Sequence, residues 1–454
     1  MIKKTLKEIQ EMVDGSELEM RFEDLVICGV VIDSRAVTEG NLYIPIIGER
    51  VDGHSFASQA MVSGAGGIFW QKDIPGMPRD VPVIVVDDTK KALQKLAIAY
   101  KDELEMKVVG ITGSNGKTST KDILASILST TYKVHKTPGN FNSEFGMPLT
   151  LLMAPPDTEI AVLEMGMRGL GQIQLLSDMA KPDVSVITCI GEAHIEDLGS
   201  RENISIAKFE ITSGLSEDGL FVYHGDEPLL DARIAEANPV FKMISFGEDA
   251  RNDYYPTSMG VDGNGMVFTI AQSDLTFNLS VLGKHNVMNT LSAIAVARHF
   301  DVSFEAIKKG MAQVEMSKMR MDVSYAKNGL MIIDDTYNSS PTSVRATLDL
   351  LYSLTGYEKK IVILADMLEL GDETVRYHAE IGACIDPEQI DVLFTYGPLS
   401  EHTAEFSKVP LTQHFDDKVD LAKELARLSG EKDVCLIKGS RGMALEDVIE
   451  KLAN

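Results

Sequence analysis

Basic residues are in short supply in this chain. Forty-three lysines and arginines stand against 68 aspartates and glutamates, a formal net charge of −25. Such a surface repels phosphates, which excludes a nucleic-acid groove as its main face. Any anionic ligand must be held locally, by a cation and a few basic groups. Cysteine is equally sparse: the four present, at positions 28, 189, 384 and 435, match neither a zinc spacing nor a disulfide framework. The expected compartment is therefore the reducing cytoplasm. No apolar run is long enough to span a bilayer, so no membrane insertion is expected. The opening stretch, MIKKTLKEIQEMV, lacks the apolar core of a signal peptide. It places Ile2, Leu6, Ile9 and Val13 at helical spacing, which predicts an amphipathic helix packed on the first domain. Internal repeats, low-complexity tracts and long linkers are missing too. What remains is 454 residues, 44% apolar and 24% charged, a globular chain of about three domains.

The most informative stretch is KVVGITGSNGKTSTK, Lys107 to Lys121. Val108, Val109 and Ile111 suit a buried parallel strand. A turn with Gly110, Gly113 and Gly116 follows, and from Thr118 the pattern turns helical, with Ile123, Leu124, Ile127 and Leu128 on one face. Strand, glycine turn and helix make a phosphate cradle: glycines admit anionic oxygens close to the backbone, and the helix start points amides at them. Lys117 would place a point charge on the outer phosphates and the Thr118 hydroxyl would hold Mg²⁺. The spacing is unusual. Ile111 stands where the first glycine of the standard motif falls, leaving G-x-x-G-x-x-G-K-T.

Around this loop the chain reads as alternating strands and helices. Strands are expected at Leu25–Ile32, Asn41–Ile47, Gly67–Trp70 and Val81–Val86, with helices at Phe56–Ser63 and Lys90–Leu104. The middle third reads as a parallel α/β sheet, with strands at Ile160–Leu163 and Val184–Ile190. Tyr254 to Leu282, punctuated by glycines, reads as an antiparallel hairpin. The last third, with strands at Met331–Ile333, Lys360–Leu364, Val392–Tyr396 and Val434–Ile437, is a second doubly wound unit without a phosphate loop. The fold class is thus α/β in three domains. A central parallel-sheet phosphate-loop ATPase domain, 105–316, is flanked by an N-terminal α/β domain, 1–104, and a C-terminal Rossmann-like domain, 317–454.

In parallel sheets, ligands bind at the carboxyl ends of strands. Glu164 stands at such an end, either as a solvated carboxylate or as a Mg²⁺ ligand, and His194 follows another strand on the same edge. Ile204, Ala207, Ile211 and Leu215 form a helical stripe, and Lys208 falls on it. That lysine either snorkels to solvent or is partly buried with a chemical task. Asn140 and Asn142 lie in a loop before an apolar run, where side-chain amides suit a polar substrate or nothing in particular. Asp335 ends a strand and is a candidate for a ribose hydroxyl; Arg320 lies between domains, a candidate for a phosphate.

Taken together, these stretches resemble the Mur ligases, ATP-dependent amide-bond ligases of peptidoglycan precursor synthesis. The phosphate loop GITGSNGKTS is similar to theirs, glycine spacing included. So, in order, are DSRAVTEGNLYIPIIGERVDGHSF, GNFNSEFGMPLTLL, LEMGMRGLGQI, IGEAHIEDLGS, IAKFEI, GKHNVMN, DDTYNSSPTS, ADMLELG and KGSRG. Ser340 and Ser143 depart from it, standing where the family usually has Asn.

The resemblance implies an enzyme joining D-alanyl-D-alanine to UDP-N-acetylmuramoyl-tripeptide through an acyl phosphate, with ATP and two Mg²⁺ ions. The first domain would take the UDP-sugar peptide through Ser34, Arg35 and His54, with Asn140 and Asn142 also on the substrate. Gly113, Ser114, Asn115, Gly116, Lys117, Thr118 and Ser119 would hold the nucleotide, Asn289 would face adenine, and Arg320 and Asp335 would complete the site. Thr118, Glu164, His194 and a carbamylated Lys208 would be the metal ligands, with Lys117, Lys208 and His194 catalytic. Lys438, Ser440 and Arg441 would lie on the acceptor side. A cytoplasmic monomer is expected. The rival readings are a folylpolyglutamate synthase-like ligase, a phosphate-loop nucleotide switch, and a nucleotide-binding regulator without catalysis.

Overall fold

The computed structural model describes residues 1–453 and is built on three sheets, two parallel and one parallel but for an edge strand. The central one has six strands, all parallel, in the order Lys242–Phe246, Leu220–His224, Val184–Ile187, Lys107–Thr112, Ile160–Glu164, Val134–Lys136. Its inner strands are buried on both faces, as their unbroken apolar runs require. The phosphate-loop helix Lys117–Leu128 covers one face and packs on Lys284–His299, a helix buried over most of its length. Residues Pro256–Asp262, Gly265–Ile270 and Ser273–Leu279 form a three-stranded antiparallel sheet, one strand more than a hairpin.

The last unit has a six-stranded sheet. Asp322–Tyr325 is its antiparallel edge, followed by the parallel strands Met331–Asp335, Asp433–Lys438, Lys359–Ala365, Val392–Tyr396 and Leu411–Phe415. The first unit has four short parallel strands, Val30–Val31, Leu42–Tyr43, Gly67–Gln71 and Val83–Val86.

The N-terminus departs from the expected single helix. Lys3–Thr5 is a strand, and the helix runs only from Leu6 to Val13, opened by a capping box between Thr5 and Glu8. Ile2 is buried ahead of that strand, its amide donating to Leu152 O at 2.7 Å. The strand expected at Leu25–Ile32 is divided for the same reason. Val26–Cys28 pairs antiparallel with Lys3–Thr5, while Val30–Val31 joins the four-stranded sheet. Strand pairing, which local pattern does not encode, decided both.

Candidate active site

The carboxyl ends of the central strands open onto a cleft of about 1020 Å³, walled on its far side by the last unit. The phosphate loop forms its floor. Gly113 has φ +152° and Gly116 φ +82°, and a Cβ on either would collide, with Thr188 Oγ1 and Asn289 Oδ1 respectively. Gly116 sits at the N-cap of the helix, so the first-turn amides face the cleft. Lys117 is half-buried, its Nζ donating to Gly113 O at 2.7 Å. Burial lowers its pKa, with Glu164 acting in the opposite direction.

Thr118 Oγ1 donates to Glu164 Oε2 at 2.9 Å, and Asn142 Nδ2 donates to Oε1 at 2.8 Å. The Glu164 amide is itself held by Thr137 Oγ1 at 2.9 Å. A hydroxyl and a carboxylate are thus fixed side by side beneath the loop, hard oxygen donors suited to Mg²⁺. No group of three or more His, Cys, Asp and Glu side chains gathers as a metal site among the described residues. A cation here would depend on these two oxygens, substrate oxygens and water, which is how Mg²⁺ is commonly held.

Lys208 does not snorkel. It is 1% exposed, and no ion pair joins it to Glu164 or any other carboxylate among the described residues. Its helix, Arg201–Phe209, is shorter than the stripe predicted, since residues 210–212 tighten into a 3₁₀ turn and Leu215 lies beyond. Burial drives the lysine pKa well below its usual value, and repulsion from Lys117 adds to that. His194 stands at φ +68° with Nδ1 2.8 Å from Glu369 Oε2, too misaligned for a hydrogen bond. Contact with His194 lowers the Glu369 pKa.

Asn289 is buried against the phosphate loop, held by Asn286 Oδ1 at 3.2 Å. From the last unit, the Arg320 guanidinium lies 4.1 Å above the Tyr337 ring, and Asp335 Oδ2 accepts from Lys438 Nζ at 2.5 Å. Arg320, Asp335, Lys438 and Arg441 all line the cleft, as do Asn140 and Asn142. Ser440 instead accepts from the Leu368 amide at 2.9 Å. Ser119 lines the floor with Ser114, Asn115, Gly116, Lys117 and Thr118, while Gly113 lies behind the lining.

Ser34, Arg35 and His54 are not brought to this cleft. Arg35 forks onto Asp33 at the surface, Ser34 is buried, and both His54 nitrogens are engaged, by Asp52 Oδ1 at 2.6 Å and the Gln71 amide at 3.2 Å. Glu49 is the first-unit residue that reaches the cleft.

Sequence reasoning passed over Glu49, Arg168, Cys189, His285, Tyr337 and Glu369, all in the lining. All but Cys189 lie inside motifs already singled out, which was the available signal. His285 is the most distinctive. Its Nδ1 is buried without a hydrogen-bond partner, and burial pushes its pKa down to about 4.

Family comparisons agree with this architecture. Residues 26–101 match the Mur ligase family catalytic domain, 111–297 the Mur ligase middle domain, and 319–441 the Mur ligase glutamate ligase domain. The chain is 46% identical to the UDP-N-acetylmuramoyl-tripeptide–D-alanyl-D-alanine ligase of Bacillus subtilis, over 100% of this chain and 99% of that one. A crystal structure of MurF from Acinetobacter baumannii superposes with a TM-score of 0.91 at 29% identity, covering 100% of this chain and 99% of that one. The MurF ligase of Thermotoga maritima in complex with ADP gives 0.83 at 30% identity, covering 94% and 97%.

Proposed function

The chain belongs to the Mur ligase family, and on that premise we propose that it joins D-alanyl-D-alanine to UDP-N-acetylmuramoyl-tripeptide at the expense of ATP, in peptidoglycan precursor synthesis. The observation that carries this reading is 46% identity along the whole chain to a ligase of that name. A folylpolyglutamate synthase or a nucleotide switch has no comparable support. In this reading residues 1–104 bind the UDP-sugar peptide, 105–316 bind ATP, and 317–454 close over the nucleotide and receive the dipeptide. The enzyme is a cytoplasmic monomer acting on small molecules, and no described helix is long and apolar enough to cross a membrane.

The chemistry follows from charge. A carboxylate is a poor acyl donor, so phosphoryl transfer from ATP first makes it an acyl phosphate. Two anions must therefore approach each other, and Lys117 with the helix-start amides neutralises part of their repulsion. Mg²⁺, which Thr118 and Glu164 would hold, supplies the remaining positive charge when bound. Asn289 positions the base, and Arg320 and Asp335 reach the nucleotide from the last unit. The neutral dipeptide amine then attacks the acyl carbon, phosphate leaves and the amine gives up a proton, with Lys438, Ser440 and Arg441 on the acceptor side, where the two cations suit the dipeptide carboxylate. Water must be excluded, because an acyl phosphate hydrolyses readily.

Lys208 has a distinct role here. Burial without a carboxylate partner disfavours the charged lysine, and its neutral amine would add CO₂ and release a proton to give a carbamate, one negative charge shared by two oxygens. With His194 it would complete the metal ligands. Ser34, Arg35 and His54 would serve the uridine end, outside the cleft proper.

Phosphate release with ATP and Mg²⁺ tests the reading, adding UDP-sugar tripeptide and D-alanyl-D-alanine separately and together. Sustained release is expected only with both; efficient release without the dipeptide overturns it.

A further inference from the structure

Between the phosphate loop and the last unit runs a four-residue segment, Gly191-Glu192-Ala193-His194, that touches both. On the loop side, the Gly191 amide donates to Ser114 Oγ at 2.8 Å, and that hydroxyl lies 3.2 Å from Gly191 O. On the other side, Glu192 Oε2 accepts from the Thr342 amide at 3.1 Å and from Thr342 Oγ1 at 2.6 Å. Thr342 is in the first turn of Pro341–Ser353, a helix of the last unit whose N-cap is Ser340.

That first turn has orphan amides to satisfy. Ser340 Oγ serves the Ser343 amide from within the unit, and Pro341 has no amide to offer. The Thr342 amide is served from the other unit, by a carboxylate placed where the helix dipole favours negative charge. A second bridge stands beside it. Asn115 of the phosphate loop donates through Nδ2 to Ser340 Oγ at 3.3 Å, so the N-cap residue itself touches the loop. The unit is pinned at its hinge as well. Asp122, buried on the phosphate-loop helix, accepts through Oδ2 from the Ser317 amide at 3.0 Å and from Ser317 Oγ at 2.7 Å, three residues before Arg320.

We propose that Glu192 is a positioning residue for ligation: by capping the Thr342 end of the last unit's helix across the cleft, it latches that unit onto the segment bonded to the phosphate loop. The inference rests on the ligase reading above. Glu192 touches no reacting atom. Through Gly191 and Ser114 it registers the loop, and through Thr342 it sets the placement of the unit carrying Arg320 and Asp335. When the units part, the carboxylate and the helix end both return to water, so the bond costs little to break and forms only in one registry. Closure is thereby tied to the state of the loop.

The test uses the full chain. Glu192→Ala should lower kcat for ligation about 10- to 100-fold, while the Kd of ADP with Mg²⁺ changes less than threefold, because the loop is intact. Glu192→Gln retains an acceptor oxygen and should recover most of the rate. Small-angle scattering with a non-hydrolysable ATP analogue and UDP-sugar tripeptide should show compaction in the wild type and less of it in Glu192→Ala. Thr342→Val is the second variant. It should repeat the loss, and the double variant should be no worse than either single one. If wild type shows no dual-substrate requirement, the ligase reading fails. If wild type ligates normally and Glu192→Ala and Thr342→Val both keep its rate and compaction, or if their losses multiply, the latch is overturned.

Discussion

Lys208 of the middle unit and Lys438 of the last are withdrawn from water to the same degree, 1% and 2% exposed, in opposite company. Lys438 donates to the Asp335 carboxylate at 2.5 Å and to Asn338 O at 2.8 Å. Lys208 has no carboxylate partner among the described residues, and the neighbour that acts on it most strongly is another lysine, Lys117. Burial alone therefore says little about a lysine. The partner decides whether a buried lysine ties two chain segments together, as Lys438 does, or has its charged form disfavoured, as Lys208 does.

The largest expected effect falls on a third lysine. Lys117→Ala removes the charge at the loop, and phosphate release with both substrates should drop about 10³-fold or more. A rate within tenfold of wild type would mean the loop does not cradle the transferring phosphate.

Removing Lys208 should separate activity from stability. Lys208→Ala is expected to lose roughly 10²-fold in rate, partly restored by acetate or another short carboxylate occupying the vacated space. Lys208→Met, which fills that space without a charge to desolvate, should unfold at or above the wild-type temperature. Full activity in Lys208→Ala would end the carbamate proposal.

Lys438 should behave in the reverse way. Lys438→Met strands Asp335, which is 15% exposed, and should destabilise the last unit by about 3 kcal/mol in denaturant titration. Adding Asp335→Asn should return most of that stability. A stable single variant would show that the pair is incidental.

The smallest effect concerns pH. His285 faces the same Asp335–Lys438 pair, and its pKa is pushed down to about 4, below the ordinary value near 6.5. Between those values the unfolded chain binds the proton and the folded one does not, so stability is present above about 6.5 and declines as pH falls towards 4. The side chain is partly exposed, which limits the contribution to about 1–2 kcal/mol. Denaturation midpoints of wild type and His285→Phe should converge in acid; parallel curves would remove the assignment.

Much of this was legible in the chain. The strands Lys107–Thr112 and Ile160–Glu164 and the phosphate-loop helix announce themselves because a parallel strand buried on both faces needs a continuous apolar run, and a loop that admits phosphate needs glycine where φ is positive. The three-unit α/β architecture follows from such local signals repeated along the chain. The split of Leu25–Ile32 between two sheets was not legible, nor was the shortness of the Lys208 helix, because each depends on a partner distant in sequence.

The same division holds at the site. Local sequence, by itself, determined which residue types stand in the glycine loop and at the strand ends, since type and spacing are local properties. Tertiary structure alone decided their company: Lys208 without a carboxylate partner among the described residues, Lys438 with one 103 residues away, Glu192 against a helix end 150 residues on, and His54 with both ring nitrogens already engaged. Desolvation and pairing act over a few ångströms in space, and no pattern along the chain measures that distance.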